Sequence, residues 1–277
     1  MHLLGRTNRS FPPIWLSLSA PQAPANDDWL SALVEAALLT GAPLDISSQP
    51  ALWGGCLRGT QAPLVGVGGH AMAEATSQRH AFDLVQAQLL ETLCGVGRDR
   101  IEVFFLRVRS AVEEFQVAGA LEALSLAKED GTIGFLGLCC DGPPYAALGL
   151  WQFHDAFELC LLPRNHLDQS AYDVLAPLAQ ERRAGVVTCR PLNWGGGCSF
   201  TRDPGLWRLP NLTRSFYGLS LEQAVLADLC QRHPVLVGVR TAKEAREASA
   251  AATMAPPPGL DTFLEPFREA VAGARFG

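Results

Sequence analysis

Short apolar runs alternate with amphipathic stretches along most of this chain. Residues 14–18 read as a first strand. Asp27 or Asp28 then caps a helical stretch that places Leu30, Leu33, Val34, Ala37 and Leu38 on one face. Gly41 ends that helix, residues 43–46 form a second strand and residues 64–67 a third. A long amphipathic helix over 77–93 carries Phe82, Val85, Leu89 and Leu93, and the strongly apolar run 101–106 is the fourth strand. Further strands fall at 133–138, 157–162, 186–189 and 235–239, with helices near 112–128, 170–183, 220–233 and 241–252. Strands that alternate with helices at this spacing imply parallel βαβ units, and about eight of them imply a closed (β/α)8 barrel.

Two segments fall outside the repeat. Residues 194–219 form a long irregular loop with three consecutive glycines, Gly195 to Gly197, and the aromatics Trp194, Phe200, Trp207 and Phe216. A loop of that length inside a compact domain is usually functional. Its Arg202, Arg208 and Arg214, together with the tryptophans, suit a protein interface. The tail at 256–277 starts with three prolines and continues as a short helix with Phe263, Phe267 and Val271 on one face.

At 277 residues and 48% hydrophobic, the chain suits one barrel domain spanning 1–277. Charged residues make up 18% and the net charge is −6, with no cluster of Lys and Arg, so a nucleic-acid partner is not expected. No apolar run approaches the roughly 18 residues of a transmembrane helix. Arg6, Arg9, the run 14–18 and Ala23-Pro24-Ala25 loosely mimic a secretory signal, but Pro12 and Pro13 interrupt the apolar part. Eight cysteines show no CxxC pair and no zinc spacing, which points to buried reduced thiols, no metal and a cytoplasmic location.

Leu4-Gly5-Arg6-Thr7, the stretches 41–45 and 101–106, and Arg190-Pro191-Leu192 are similar to phrases of the aldo-keto reductase superfamily, and the resemblance runs nearly end to end. It implies an α/β fold, a (β/α)8 TIM barrel of aldo-keto reductase type with a C-terminal extra helix. It also implies a site at the C-terminal ends of the strands. Four catalytic positions follow from it, and three hold the wrong residue. Asp45 is the aspartate. The tyrosine position falls on or near Pro50, and no tyrosine precedes Tyr145. The lysine position is Gly68 or Gly69, and the first lysine of the chain is Lys128. The histidine position holds Arg107, a donor-only cation that is no ordinary general acid near neutral pH.

The cofactor positions implied by the resemblance are similarly altered. Cys139-Cys140 replace a Ser-Asn pair, Leu161 a glutamine and Cys189 a nicotinamide-stacking aromatic. Gly238, Arg240 and Thr241 are similar to the phosphate-binding turn, where a helix N-terminus favours anions. The adenine and 2′-phosphate contacts map to Glu244, Glu247 and Ala248, and Glu244 would repel a phosphate.

Asp45 and Arg107 are expected to face each other across the barrel mouth, either as a structural ion pair or as a small-anion site with Arg107 as the clamp. Cys139-Cys140 are read as core rather than as a redox pair, Tyr172 as helix packing, and His70, His154 and His166 as surface or helix-end residues. The leading expectation is a pseudoenzyme that acts by binding, as a subunit or assembly factor. It would take no cofactor, and a protein partner would cover the mouth or the 194–219 loop. A divergent NADP(H)-dependent oxidoreductase is the alternative, and a small-ligand or nucleotide-sensing barrel the second.

Overall fold

The computed structural model describes residues 1–19, 27–192, 217–265 and 268. Eight parallel strands close into a barrel: β3 (Ile14–Leu18), β4 (Leu44–Asp45), β5 (Leu64–Gly68), β6 (Ile101–Val108), β7 (Ile133–Cys140), β8 (Leu159–Pro163), β9 (Gly185–Cys189) and β10 (Val235–Val239). Each pairs with the next, and β10 closes on β3 from Val235 against Ile14 to Val239 against Leu18. Eight helices join them: α1 (Asp27–Leu39), α2 (Pro50–Leu57), α3 (Gln78–Val96), α4 (Glu114–Glu129), α5 (Pro144–Phe153), α6 (Ser170–Glu181), α7 (Leu221–Leu229) and α8 (Ala242–Ala251). A small antiparallel hairpin, β1 (His2–Leu3) with β2 (Ser10–Phe11), precedes the barrel.

Every strand read from the sequence forms within a few residues of its expected place. Helices α2 and α5 were not expected. Both are apolar on nearly every side, as in Pro50-Ala51-Leu52-Trp53-Gly54-Gly55-Cys56-Leu57, so they lack the polar face whose 3.6-residue rhythm marks a surface helix. Helix α2 lies close against α3 because two glycines meet there. A Cβ on Gly54 would sit 2.3 Å from the Gly95 carbonyl oxygen. The 194–216 part of the expected loop, with its four aromatics and three arginines, lies outside the described residues, as do Phe267 and Val271. Residues 260–265 are helical, and Leu260 and Leu264 pack into the layer under α1 and α8.

Alternation along the strands divides the core into an outer layer under the helices and a packed lumen. The lumen holds Trp15, Val65, Val67, Val103, Phe105 and Leu161, among others. Leu4 and Phe11 from the hairpin region plug its N-terminal end. Phe11 stacks 5.3 Å from Trp15, and Trp15 lies 6.4 Å from Phe105. Among the described residues no helix is long and apolar enough to cross a membrane.

Beside α6 a cavity of 560 Å³ is lined by His2, Tyr172, Pro177, Arg232 and His233, among others. Tyr172 packs in α6 with its hydroxyl 2.9 Å from His233 Nε2. Burial, then Arg164, His2 and Arg232, hold the His233 imidazole down to about 4. Its ordinary value is 6.5, so between about 4 and 6.5 the folded protein binds fewer protons than the unfolded chain. Stability contributed by the neutral ring is therefore complete above about 6.5 and is lost as pH falls towards 4. Urea midpoints should drop between pH 7.5 and pH 5, and His233→Gln should flatten much of that slope. An unchanged slope in the variant would remove His233 as its cause.

Candidate functional site

The same alternation brings a polar layer to the C-terminal end of the lumen. Ser17, Asp45, Arg107 and Cys139 continue the inward series that Trp15, Val103 and Phe105 begin lower down. Asp45 is 7% exposed, and its carboxylate is fully engaged. Ser17 Oγ donates to Asp45 Oδ2 at 2.7 Å. The Ser47 amide and hydroxyl donate to Oδ1 at 3.0 and 2.5 Å. The Ser47 hydroxyl also accepts the Val67 N–H at 2.6 Å, tying the end of β4 to β5.

The expected Asp45–Arg107 pair does not form. Arg107 Nε lies 3.7 Å from Asp141 Oδ2. Register explains the change of partner. Arg107 is opposite Cys139 on the adjacent strand, and Asp141 follows two residues later on the same side. That places a carboxylate next door, whereas Asp45 lies two strands away with both oxygens already bonded to serines. Arg109 Nε donates to the same Asp141 oxygen at 3.2 Å, and Arg190 Nη2 bonds its other oxygen. One carboxylate thus gathers three guanidinium groups. Arg190 directly follows β9 and holds φ at 57°, a left-handed conformation that non-glycine residues adopt at a cost.

His70, expected at the surface, follows the end of β5 and starts a 3-10 helix over His70–Glu74. It is half-buried, and its Nδ1 has no hydrogen-bond partner among the described residues. Burial lowers its pKa first, Arg109 and Arg107 lower it further, and Glu74 and Asp141 oppose them. His70, Arg109, Asp141 and Arg190 were not singled out as site residues. The rule that sites gather at strand C-terminal ends would have found His70, two residues past the end of β5. His166 is not a surface residue either. It is 4% exposed, with its ring nitrogens 3.2 Å from Asp228 and 3.3 Å from Asp261. His154 remains at a helix end, 3.3 Å from Glu114.

At the expected phosphate turn, Gly238 lies in β10 opposite Ser17 and Arg240 directly follows the strand. Thr241 caps α8 by accepting the Glu244 N–H at 3.1 Å. The Glu244 side chain folds back and accepts the Arg240 N–H at 2.6 Å. An internal carboxylate therefore holds the position where a helix N-terminus would receive an external anion. Beside it, a 290 Å³ cavity between α7 and α8 is lined by Glu222, Glu244 and Glu247 against a single Lys243.

Comparison with solved structures is decisive for the architecture. An aldo-keto reductase from Klebsiella pneumoniae in complex with NADPH superposes with a TM-score of 0.72 at 15% identity, covering 96% of this chain and 93% of that one. The holo form of an aldo-keto reductase from Bacillus halodurans gives 0.67 at 13% identity over 98% and 94%. Aldose reductase from Giardia lamblia gives 0.69 at 12% identity over 94% and 93%. The barrel has the aldo-keto reductase fold. No family model and no curated protein sequence matches the chain.

Within this aldo-keto reductase fold the positions implied by the sequence resemblance can be placed. Pro50 is the first residue of α2, and its ring carries no dissociable proton. Gly68 ends β5, where a Cβ would meet the Phe104 ring at 3.1 Å and Gln88 at 3.2 Å. None of the three tyrosines enters the lumen: Tyr145 and Tyr217 are exposed and Tyr172 packs beside His233. Lys128 pairs with Glu158 at 2.7 Å and Lys243 with Glu247 at 3.7 Å. Cys139 and Cys189 are buried in the lumen, and Cys140 faces the outer layer with Cys160. Burial raises the pKa of the Cys140 thiol, away from an activated thiolate. The turn before α8, closed by Glu244 and flanked by carboxylates, does not fit the 2′-phosphate of NADP(H).

Proposed function

We propose that this barrel works by binding and not by reducing carbonyl compounds. The observation that carries the reading is the chemistry around Asp45. Its carboxylate is spent on Ser17 and Ser47, and the phenol and amine that would deliver a proton beside it are replaced by Pro50 and Gly68. Reduction of a carbonyl needs a proton source and a polarised oxygen at the hydride acceptor. Asp45 and Arg107 are then structural and ligand-holding residues, Gly238, Arg240 and Thr241 are a self-capped helix start, and no cofactor is needed. In this reading the chain is one cytoplasmic domain that serves as a subunit or assembly factor, with a protein partner over the mouth or the 194–219 loop.

A divergent NADP(H)-dependent oxidoreductase is the second reading, and two observations favour it. The solved relatives include one in complex with NADPH. His70 also brings a titratable ring into the field of Arg107 and Arg109. Purified protein with NADPH and a panel of aldehydes and ketones separates the two. We expect no NADPH consumption above the protein-free blank and no quenching of the six tryptophans by the cofactor. Turnover that His70→Gln abolishes would establish the oxidoreductase reading instead.

A further inference from the structure

We infer that the cavity beside α6 is a binding site for a small zwitterion, an α-amino acid with an apolar side chain. The cavity takes in the first residues of β9 and the residue before β10, so it lies at the N-terminal end of the barrel, opposite the polar mouth. It therefore stands or falls independently of any activity at the mouth.

Short side chains make the room. A Cβ on Gly5 would come within 2.3 Å of the Arg183 carbonyl oxygen, and one on Gly185 within 2.7 Å of Leu4, so the hairpin region docks directly on the start of β9. Ala176 and Pro177 of α6 face the same space. Its 560 Å³ falls within the range of about 300–1,000 Å³ that small-molecule sites occupy. Buried Leu4 and Val186 give it an apolar floor.

Two opposite charges line this one cavity. Arg232 follows α7 and Asp173 belongs to α6. Neither makes an ion pair or a side-chain hydrogen bond among the described residues, with each other included. Either alone would be an ordinary surface charge. Together, with apolar floor between the walls, they match a ligand that carries a carboxylate, an ammonium and a hydrocarbon body. The guanidinium fork of Arg232 suits the paired carboxylate oxygens, and the Asp173 carboxylate suits the ammonium.

The wall between them is set in advance. Tyr172 bonds His233 at 2.9 Å, and the Arg164 guanidinium stacks 4.6 Å from the centre of its ring on the other side. Arg164 is 4% exposed, and its Nε and Nη1 have no hydrogen-bond partner among the described residues. Asp228 and Asp173 act on it only from beyond ion-pair distance. A ligand carboxylate bound at Arg232 adds a negative charge on the side of this buried cation. Burial keeps the His233 ring neutral near pH 7, so it does not repel the ligand's ammonium. A wall already ordered lowers the cost of binding.

Calorimetric titration of the full chain with leucine at pH 7.5 in low-salt buffer tests the site. Glycine lacks the apolar body, 4-methylpentanoate the ammonium and isopentylamine the carboxylate. We expect saturable leucine binding at one site per chain, with all three analogues weaker by about tenfold or more, as loss of a charge-assisted bond or of a buried side chain implies. Arg232→Gln and Asp173→Asn should each weaken leucine about tenfold. Both residues are exposed, so neither change threatens the fold. Arg232→Lys keeps the charge but loses the fork and should fall between. Ala176→Leu fills the cavity without touching either charge and should abolish binding, with circular dichroism confirming that each variant folds. Leucine heats equal to dilution overturn the site. Leucine binding matched by 4-methylpentanoate or by glycine, or left unchanged by Arg232→Gln and Ala176→Leu, overturns the zwitterion assignment.

Discussion

Asp141→Asn is expected to lower folding stability by about 2–3 kcal/mol, the largest effect of any single polar substitution at the barrel mouth. Breaking a buried ion pair by removing one partner costs about 3–5 kcal/mol. The Asp141 side chain is 15% exposed, but Arg107, Arg190 and Arg109 are 23%, 27% and 52% exposed, so solvent screening takes part of that cost away. The amide still accepts one hydrogen bond but no longer offsets three positive charges held side by side. At about 2–4 °C per kcal/mol for a chain of this size, the midpoint should fall by about 5–10 °C. Salt gives the effect its signature. In about 1 M salt the screening length shrinks to about 3 Å, so the deficit should narrow markedly between low and high ionic strength. A loss below about 0.5 kcal/mol, or one indifferent to salt, would mean that Asp141 is an ordinary surface carboxylate and that the three arginines do not act on one another.

The barrel itself was legible because each strand is an apolar run bounded by breakers, and such runs survive any change of surface residues. What escaped were elements whose signal is not periodic. Helices α2 and α5 are apolar all round, so no face stands out from the sequence. The site was half legible for a different reason. The family resemblance assigned the phenol position on or near Pro50, the amine position to Gly68 or Gly69 and the imidazole position to Arg107, an assignment made from residue identity alone. The partner of Arg107 could not be read in that way, because pairing depends on register. Arg107 lies beside Cys139, which puts Asp141 within reach and leaves Asp45 to its serines. Glu244 shows the intermediate case. Its sign was readable as hostile to a phosphate, but its return to the Arg240 amide, closing the turn from within, is a matter of geometry.

Phe105→Ala should cost more than any change at the mouth, about 3–5 kcal/mol, the range for truncating a buried aromatic. Phe105 is 0% exposed in the lumen, two residues below Arg107 on the same strand and face. How much is lost depends on how far the surroundings can collapse into the hole. Here they have little to collapse with, because the ring packs directly against Gly137. A Cβ built there would come within 2.3 Å of a Phe105 ring carbon, so the glycine is kept by the phenyl ring and offers no side chain in its absence. Trp15 is a neighbouring aromatic wall, 6.4 Å from the Phe105 ring, and its buried indole N–H has no hydrogen-bond partner among the described residues. A double-mutant cycle makes the argument measurable. Gly137→Ala alone should destabilise by overpacking, by about 1–3 kcal/mol, yet in the Phe105→Ala background it should be neutral or stabilising, since the added methyl fills part of the cavity. Denaturant titration of the four proteins gives the coupling directly. If Phe105→Ala costs under about 2 kcal/mol and the two substitutions add without coupling, the lumen is not tightly packed at this level. The rigid floor that holds Arg107 against Asp141 would then have to be sought elsewhere.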